Sequence, residues 1–123
     1  MSSAAAHAYA QAVVATGNSH EIKAQVLLKA ARKLQALVTT GEATRSEVTE
    51  ALVYNEKIWS LLLAEALNDE SPYPPELRKN MTDIGLFALS HTYTLQVSRI
   101  QLDEFKVLIE INRTIAAGLN GRV

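Results

Sequence analysis

Apolar residues recur at steps of three and four through four long stretches of this chain, and nowhere do they alternate with polar residues between hairpin turns. From Ser19 to Val38, the residues Ile22, Val26, Ala30, Leu34, Leu37 and Val38 form one stripe. Lys23, Lys29, Arg32 and Lys33 fill much of the opposite surface. Ser19 suits the N-cap, Glu21 suits the positive end of the helix dipole, and Gly41 suits the terminator. The next helix opens on Thr44-Arg45-Ser46-Glu47, which fits a capping box. Val48, Leu52, Trp59, Leu62, Leu63, Ala66 and Leu67 then make a broad apolar face, interrupted by Asn55. That helix ends by Asn68-Asp69, because Pro72 cannot continue it.

A third long helix opens at Pro74 or Pro75, where a missing backbone N–H costs nothing. Leu77, Met81, Ile84, Ala88 and Leu95 form one stripe on it, while Leu86, Phe87, Leu89 and Tyr93 add a second. The run Ile84 to Leu89 is apolar all round, which implies either a central helix or one with a partner-facing side. Gly85 within it reads as a site where a neighbouring helix comes close. The last helix spans Asp103 to Leu119, with Asp103 as N-cap and Leu102 stapled onto Val107. Leu108, Ile111, Ile115 and Leu119 repeat on one face of it, beside Phe105, Ile109 and Ala116. A short Ala-rich helix over Ala4 to Ala15 is also expected, its order conditional on packing. The pattern therefore predicts an all-α fold: a compact helical bundle of four long helices plus a short N-terminal helix, as one domain over 1–123.

Composition narrows the function. With 123 residues and 48% hydrophobic content, including 18 Ala and 16 Leu, the chain can bury a core of its own. It has no Cys, which excludes disulfides and thiolate metal sites. Twelve Lys and Arg against thirteen Asp and Glu give a net charge of −1, which argues against a basic nucleic-acid module. No apolar run is long enough for a membrane helix, and Met1 to Ala6 lack the cations of a signal peptide. The expectation is a soluble, cytoplasmic protein.

No residue pattern points to catalysis. His7, His20 and His91 lie on three separate elements, none with a second ligand at a metal-binding spacing. There is no nucleophile elbow and no phosphate-cradling glycine loop. Glu47/Glu50 and Asp69/Glu70 read as capping and solvated charge. The expectation is a non-enzyme with no cofactor and no metal. Lys29, Arg32 and Lys33 form the one compact basic cluster, which reads as a solvated helix face and leaves RNA contact as the weaker alternative. Trp59 and Tyr54 are either a core tryptophan with a tyrosine at its edge or an aromatic anchor in a partner groove. Asn55, Asn112 and Arg113 are polar residues set in apolar faces. They belong either to an inter-helix network or to the polar fixings of a binding groove.

Two segments carry a family resemblance. Leu108-Ile109-Glu110-Ile111-Asn112-Arg113-Thr114-Ile115-Ala116-Ala117-Gly118-Leu119 resembles the C-terminal signature of the FlaF family of flagellar biosynthesis regulators. Asn55-Glu56-Lys57-Ile58-Trp59-Ser60-Leu61-Leu62 is similar to that family's N-x-x-[LI]-W-x-x-[LF] stretch, and Ala8-Tyr9-Ala10-Gln11-Ala12 to its start. The entry after Gly17, Asn18-Ser19-His20-Glu21, departs from the Thr-x-x-Pro-Arg-[DE] type. The resemblance implies a cytoplasmic α-proteobacterial flagellin-binding chaperone that supports flagellin synthesis and export, working alongside the translational regulator FlbT. Its physical counterpart is an amphipathic flagellin helix captured in a groove between the last three helices. The partner-binding residues expected there are Tyr54, Asn55, Trp59, Leu62, Phe87, Ile111, Asn112, Arg113 and Ile115. The alternatives are direct contact with flagellin mRNA and a structural helical adaptor or homodimer. DNA binding and membrane insertion are not expected.

Overall fold

The computed structural model describes residues 19–71, 73–99 and 102–121. Over them the chain folds as α1 (Ser19–Thr40), α2 (Arg45–Leu67), α3 (Pro75–Val97), a 3₁₀ turn (Leu102–Glu104) and α4 (Phe105–Leu119). The fold is all-α, with no strand among the described residues. The short helix expected over Ala4 to Ala15 lies outside the described residues, as does the residue preceding α1.

Local signals set most boundaries. Gly41 follows α1 at φ 71°, a left-handed conformation that glycine adopts without penalty, and its N–H reaches the Leu37 carbonyl at 3.2 Å. The Thr44 hydroxyl accepts from the Glu47 N–H at 3.1 Å, and Glu47 Oε1 accepts from the Thr44 N–H at 2.9 Å. The capping box is complete, and these bonds hold the Glu47 carboxyl below its ordinary pKa. Pro75 occupies the first turn of α3. The start of α4 is corrected. Asp103 sits in the 3₁₀ turn, and the N-cap position falls on Glu104, whose side chain makes no capping bond. Leu102 packs beside the Phe105 cluster, while Val107 is exposed on the other side of the helix.

The helices pair as α1 with α4 and α2 with α3, and α1 joins the pairs by also packing on α2. The buried face of α1 is rotated from the expected stripe: Ala24, Leu27, Ala30, Ala31, Leu34 and Leu37 are buried, while Ile22, Val26 and Val38 are half-buried. Alanines at 24, 30 and 31 allow neighbouring helices to come close, which turns the small residues inward. Gly85 marks a similar approach of α3 to α2, since a Cβ there would lie 3.4 Å from Leu63 and 3.6 Å from the Trp59 ring.

Two apolar clusters fill the interior. One gathers Leu27, Ile58, Trp59, Leu62, Met81 and Ala116; the other gathers Leu34, Val48, Leu52, Leu95, Phe105 and Leu108. Between them every one of α2, α3 and α4 contributes a buried polar residue: Asn55, Thr92 and Asn112.

Candidate functional site

That polar layer is one continuous chain of hydrogen bonds. The Trp59 indole N–H donates to Asn112 Oδ1 at 2.8 Å, and Asn112 Nδ2 donates to Asn55 Oδ1 at 2.7 Å. Asn55 Nδ2 donates to the Thr92 hydroxyl at 3.2 Å, which donates to the Ala88 carbonyl at 2.6 Å. Donor follows acceptor without a break, from α2 to α4, back to α2 and out to α3. No buried side-chain nitrogen or oxygen among the described residues lacks a partner. Full satisfaction is what makes such a layer tolerable in an apolar interior.

Above this layer α3 and α4 share only a narrow contact. Between their outer faces lies an open groove of about 470 Å³. Ile84 and Phe87 line it from α3; Val107, Ile111 and Ile115 line it from α4, with Asp83, Glu110 and Thr114 at the rim. Ile84, Ile111 and Ile115 also pack down onto the Trp59 cluster, so the groove floor is continuous with the core. Phe87 is 51% exposed and stacks on His91, with ring centroids 5.7 Å apart. The His91 ring meets the Glu104 carbonyl through Nε2 at 3.3 Å, which ties this edge of α3 to the entry of α4.

The nine residues expected at a partner site therefore divide. Phe87, Ile111 and Ile115 line the groove. Trp59, Asn55 and Asn112 are 0% exposed and Leu62 is buried with them, so as folded they support the groove from beneath and touch no partner. The surface-anchor alternative for Trp59 is thereby corrected to the core one, because its N–H is already engaged by Asn112. For Asn55 and Asn112 the inter-helix network holds. Tyr54 lies on the α1–α2 side, with the ammonium groups of Lys29 and Lys33 over its ring at 5.7 and 5.1 Å. Arg113 also leaves the groove, its Nη2 3.5 Å from Gln35 Oε1 on α1.

Several residues on these faces sit elsewhere than the sequence pattern alone placed them, or make contacts it did not announce. Val107 precedes Ile111 and Ile115 at intervals of four, a spacing that placed it on their face. Thr92 is flanked on its stripe by buried Ala88 and Leu95, and only its position shows the hydroxyl to be part of the layer. Lys23, expected on the solvated face, is 6% exposed: it pairs with Glu65 and donates to the Tyr73 hydroxyl at 3.1 Å. Arg78 of α3 closes the end of α2, donating to the Ala66 and Leu67 carbonyls at 2.6 and 3.0 Å. Among the described residues no group of three His, Asp or Glu side chains is placed to hold a metal ion. None of the described helices is long and apolar enough to cross a membrane.

The geometry defines a small helical protein with a polar-layered core and an open apolar seam between two of its helices. A family model described as flagellar protein FlaF matches residues 5–119, and the chain belongs to that family. It is thus a protein of the flagellar system. Comparison with curated proteins and with solved structures gives no match.

Proposed function

We propose that this protein is a cytoplasmic flagellin-binding chaperone and regulator, which holds an amphipathic flagellin helix in the α3–α4 groove. The observation that carries the reading is the groove itself. Five large apolar side chains from two helices line it, Phe87 and Val107 exposed and Ile84, Ile111 and Ile115 half-buried, on a chain whose family is flagellar. Two helices that touch little over a shared apolar floor leave the space that a third helix fills, and its apolar positions at i, i+3, i+4 and i+7 supply the anchors. Shielding such a segment before export keeps its apolar stripe from self-association. The proposal assigns the protein no catalysis and no cofactor, and leaves FlbT as a second partner on another face.

Direct RNA contact is the weaker reading. Lys29 and Lys33 are drawn over Tyr54, and Lys33 is 3.5 Å from the Glu50 carboxylate, so two of the three clustered cations are engaged within the fold.

Purified protein and flagellin monomer, mixed and followed by size exclusion and calorimetry, are expected to form a defined complex that Phe87→Ala and Ile111→Ala weaken. Absence of a complex at tens of micromolar overturns the proposal.

A further inference from the structure

We infer that the helix seated in the α3–α4 groove carries lysine or arginine along both borders of its apolar stripe. The inference rests on the reading above of the groove as a helix-binding site and adds the chemistry of its occupant. The groove is bordered by a carboxylate on each side, Asp83 from α3 and Glu110 from α4, and none of its lining residues is a cation. Asp83 meets Lys79 one turn away at 3.1 Å, but both side chains are largely exposed, and such pairs contribute little. Among the described residues no ion pair involves Glu110. Each wall therefore presents a carboxylate beside the apolar floor, Glu110 in no ion pair and Asp83 in an exposed pair with Lys79. An incoming acidic border meets like charge, while a basic border meets two opposite charges and is steered in.

The same charges distinguish this occupant from those the chain itself supplies. Residues 1–18 contain no Lys and no Arg. A second copy offers the exposed ridge Leu86, Tyr93 and Val97 of α3, but that ridge runs beside its own Asp83, which sets carboxylate against carboxylate. The cations of α1 border an apolar face already buried against the bundle.

The test uses the full chain and two synthetic helical peptides with one identical apolar stripe, bordered by Lys in one and by Glu in the other. Binding is read by calorimetry and by emission of Trp59, the single tryptophan, beneath the groove. The Lys-bordered peptide is expected to bind at least about fivefold more tightly in low salt. The gap is expected to close in roughly 0.5 M salt, where screening acts within about 4 Å. Both rim residues are exposed, so Asp83→Lys/Glu110→Lys is expected to fold normally and to invert the preference, and Asp83→Asn/Glu110→Gln to abolish it.

Equal binding, failure of both peptides to bind, preference for the Glu peptide, or an unchanged preference in the charge-reversed protein overturns the inference. So does a concentration-dependent dimer that neither peptide disperses, which seats a second copy in the groove. Tyr9 and Val13 are an apolar pair four residues apart in the helix expected over Ala4 to Ala15, and a large gain in peptide affinity on Tyr9→Ser/Val13→Ser overturns the inference too, by seating the chain's own N-terminal segment there. Flagellin separates the two levels. Peptide discrimination without flagellin binding supports the basic-bordered occupant and sinks the flagellin reading. Flagellin binding indifferent to charge reversal of the rim supports that reading and sinks the basic-bordered occupant.

Discussion

The indole N–H of Trp59 donates to Oδ1 of Asn112 at 2.8 Å, across 53 residues of sequence, and both side chains are fully buried. This bond joins α2 to α4 at the first step of the polar layer. Asn112→Leu strips the partner from the Trp59 N–H and from the Asn55 carbonyl oxygen together. Each orphaned buried group costs about 1–3 kcal/mol, so urea unfolding is expected to show a loss of about 2–6 kcal/mol. Trp59→Phe removes the donor together with part of the ring volume, a packing loss that the double-mutant cycle cancels, and the cycle is expected to return a coupling of about 1–2 kcal/mol. Additive effects would dissolve the claim that the pair acts as one unit.

Burial separates the two aromatic residues of the groove region. Trp59→Ala empties a core site and is expected to lower stability by about 3–5 kcal/mol. Phe87 is half exposed, so Phe87→Ala is expected to change stability by less than about 1 kcal/mol while weakening flagellin binding roughly tenfold. Thermal melts alongside calorimetry check both, and the reverse pattern would move the groove elsewhere.

Arg78 caps a helix other than its own. Its two bonds to the Ala66 and Leu67 carbonyls satisfy acceptors at the negative end of α2, and its guanidinium lies 3.3 Å from Asp69. Arg78→Met is expected to lower the melting free energy by about 1.5–3 kcal/mol. Arg78→Lys recovers only part of that, because one ammonium cannot reproduce the planar fork. Full rescue by lysine in denaturation experiments would reduce the contact to simple charge.

Burial, reinforced by hydrogen bonding and charge from Glu65, raises the Tyr73 phenol above its ordinary pKa of 10.0. The folded state then keeps a proton that the unfolded chain releases. The resulting stability is present in full below pH 10 and is lost as pH climbs through the raised folded value. The stability advantage of wild type over Tyr73→Phe is therefore expected to hold near neutrality and to shrink above pH 10. A gap that stays constant in alkaline denaturation curves would contradict the burial argument.

Gly118 lies in the last turn of α4 with open space where a Cβ would stand. Gly118→Ala is expected to stabilise by about 0.5–1 kcal/mol, a gain seen directly in the melting temperature. Gly85→Ala gains the same propensity but presses on Leu63 and Trp59, so its benefit is expected to be smaller.

How legible these features were follows from the range of the interaction that makes them. The Thr44–Glu47 box closes within one turn and Gly41 stops α1 through a single bond to Leu37, so both could be read from neighbouring residues. Gly85 was legible as a close approach, though not its partners. Lys23 was not: nothing near it in sequence announces Glu65 and Tyr73, which lie 42 and 50 residues away. Asp103 misled for a related reason. It is a good capping residue in isolation, but the chain enters α4 through a 3₁₀ turn, which moves the helix start to Phe105.

By itself the sequence determined an all-α chain of four long helices with their near-local stops, the oddity of Asn55 and Asn112 on apolar faces, and membership of a flagellar family. Periodicity, capping and turn chemistry act over a few residues and need no partner. Only the tertiary structure decided that the two asparagines bond directly to each other, with Trp59 and Thr92 at either end of the hydrogen-bonded chain, and that α3 and α4 leave between them a groove bordered by Asp83 and Glu110. Those features depend on how each helix is turned about its axis, which is set by the small residues of α1 and by Gly85 when the helices pack.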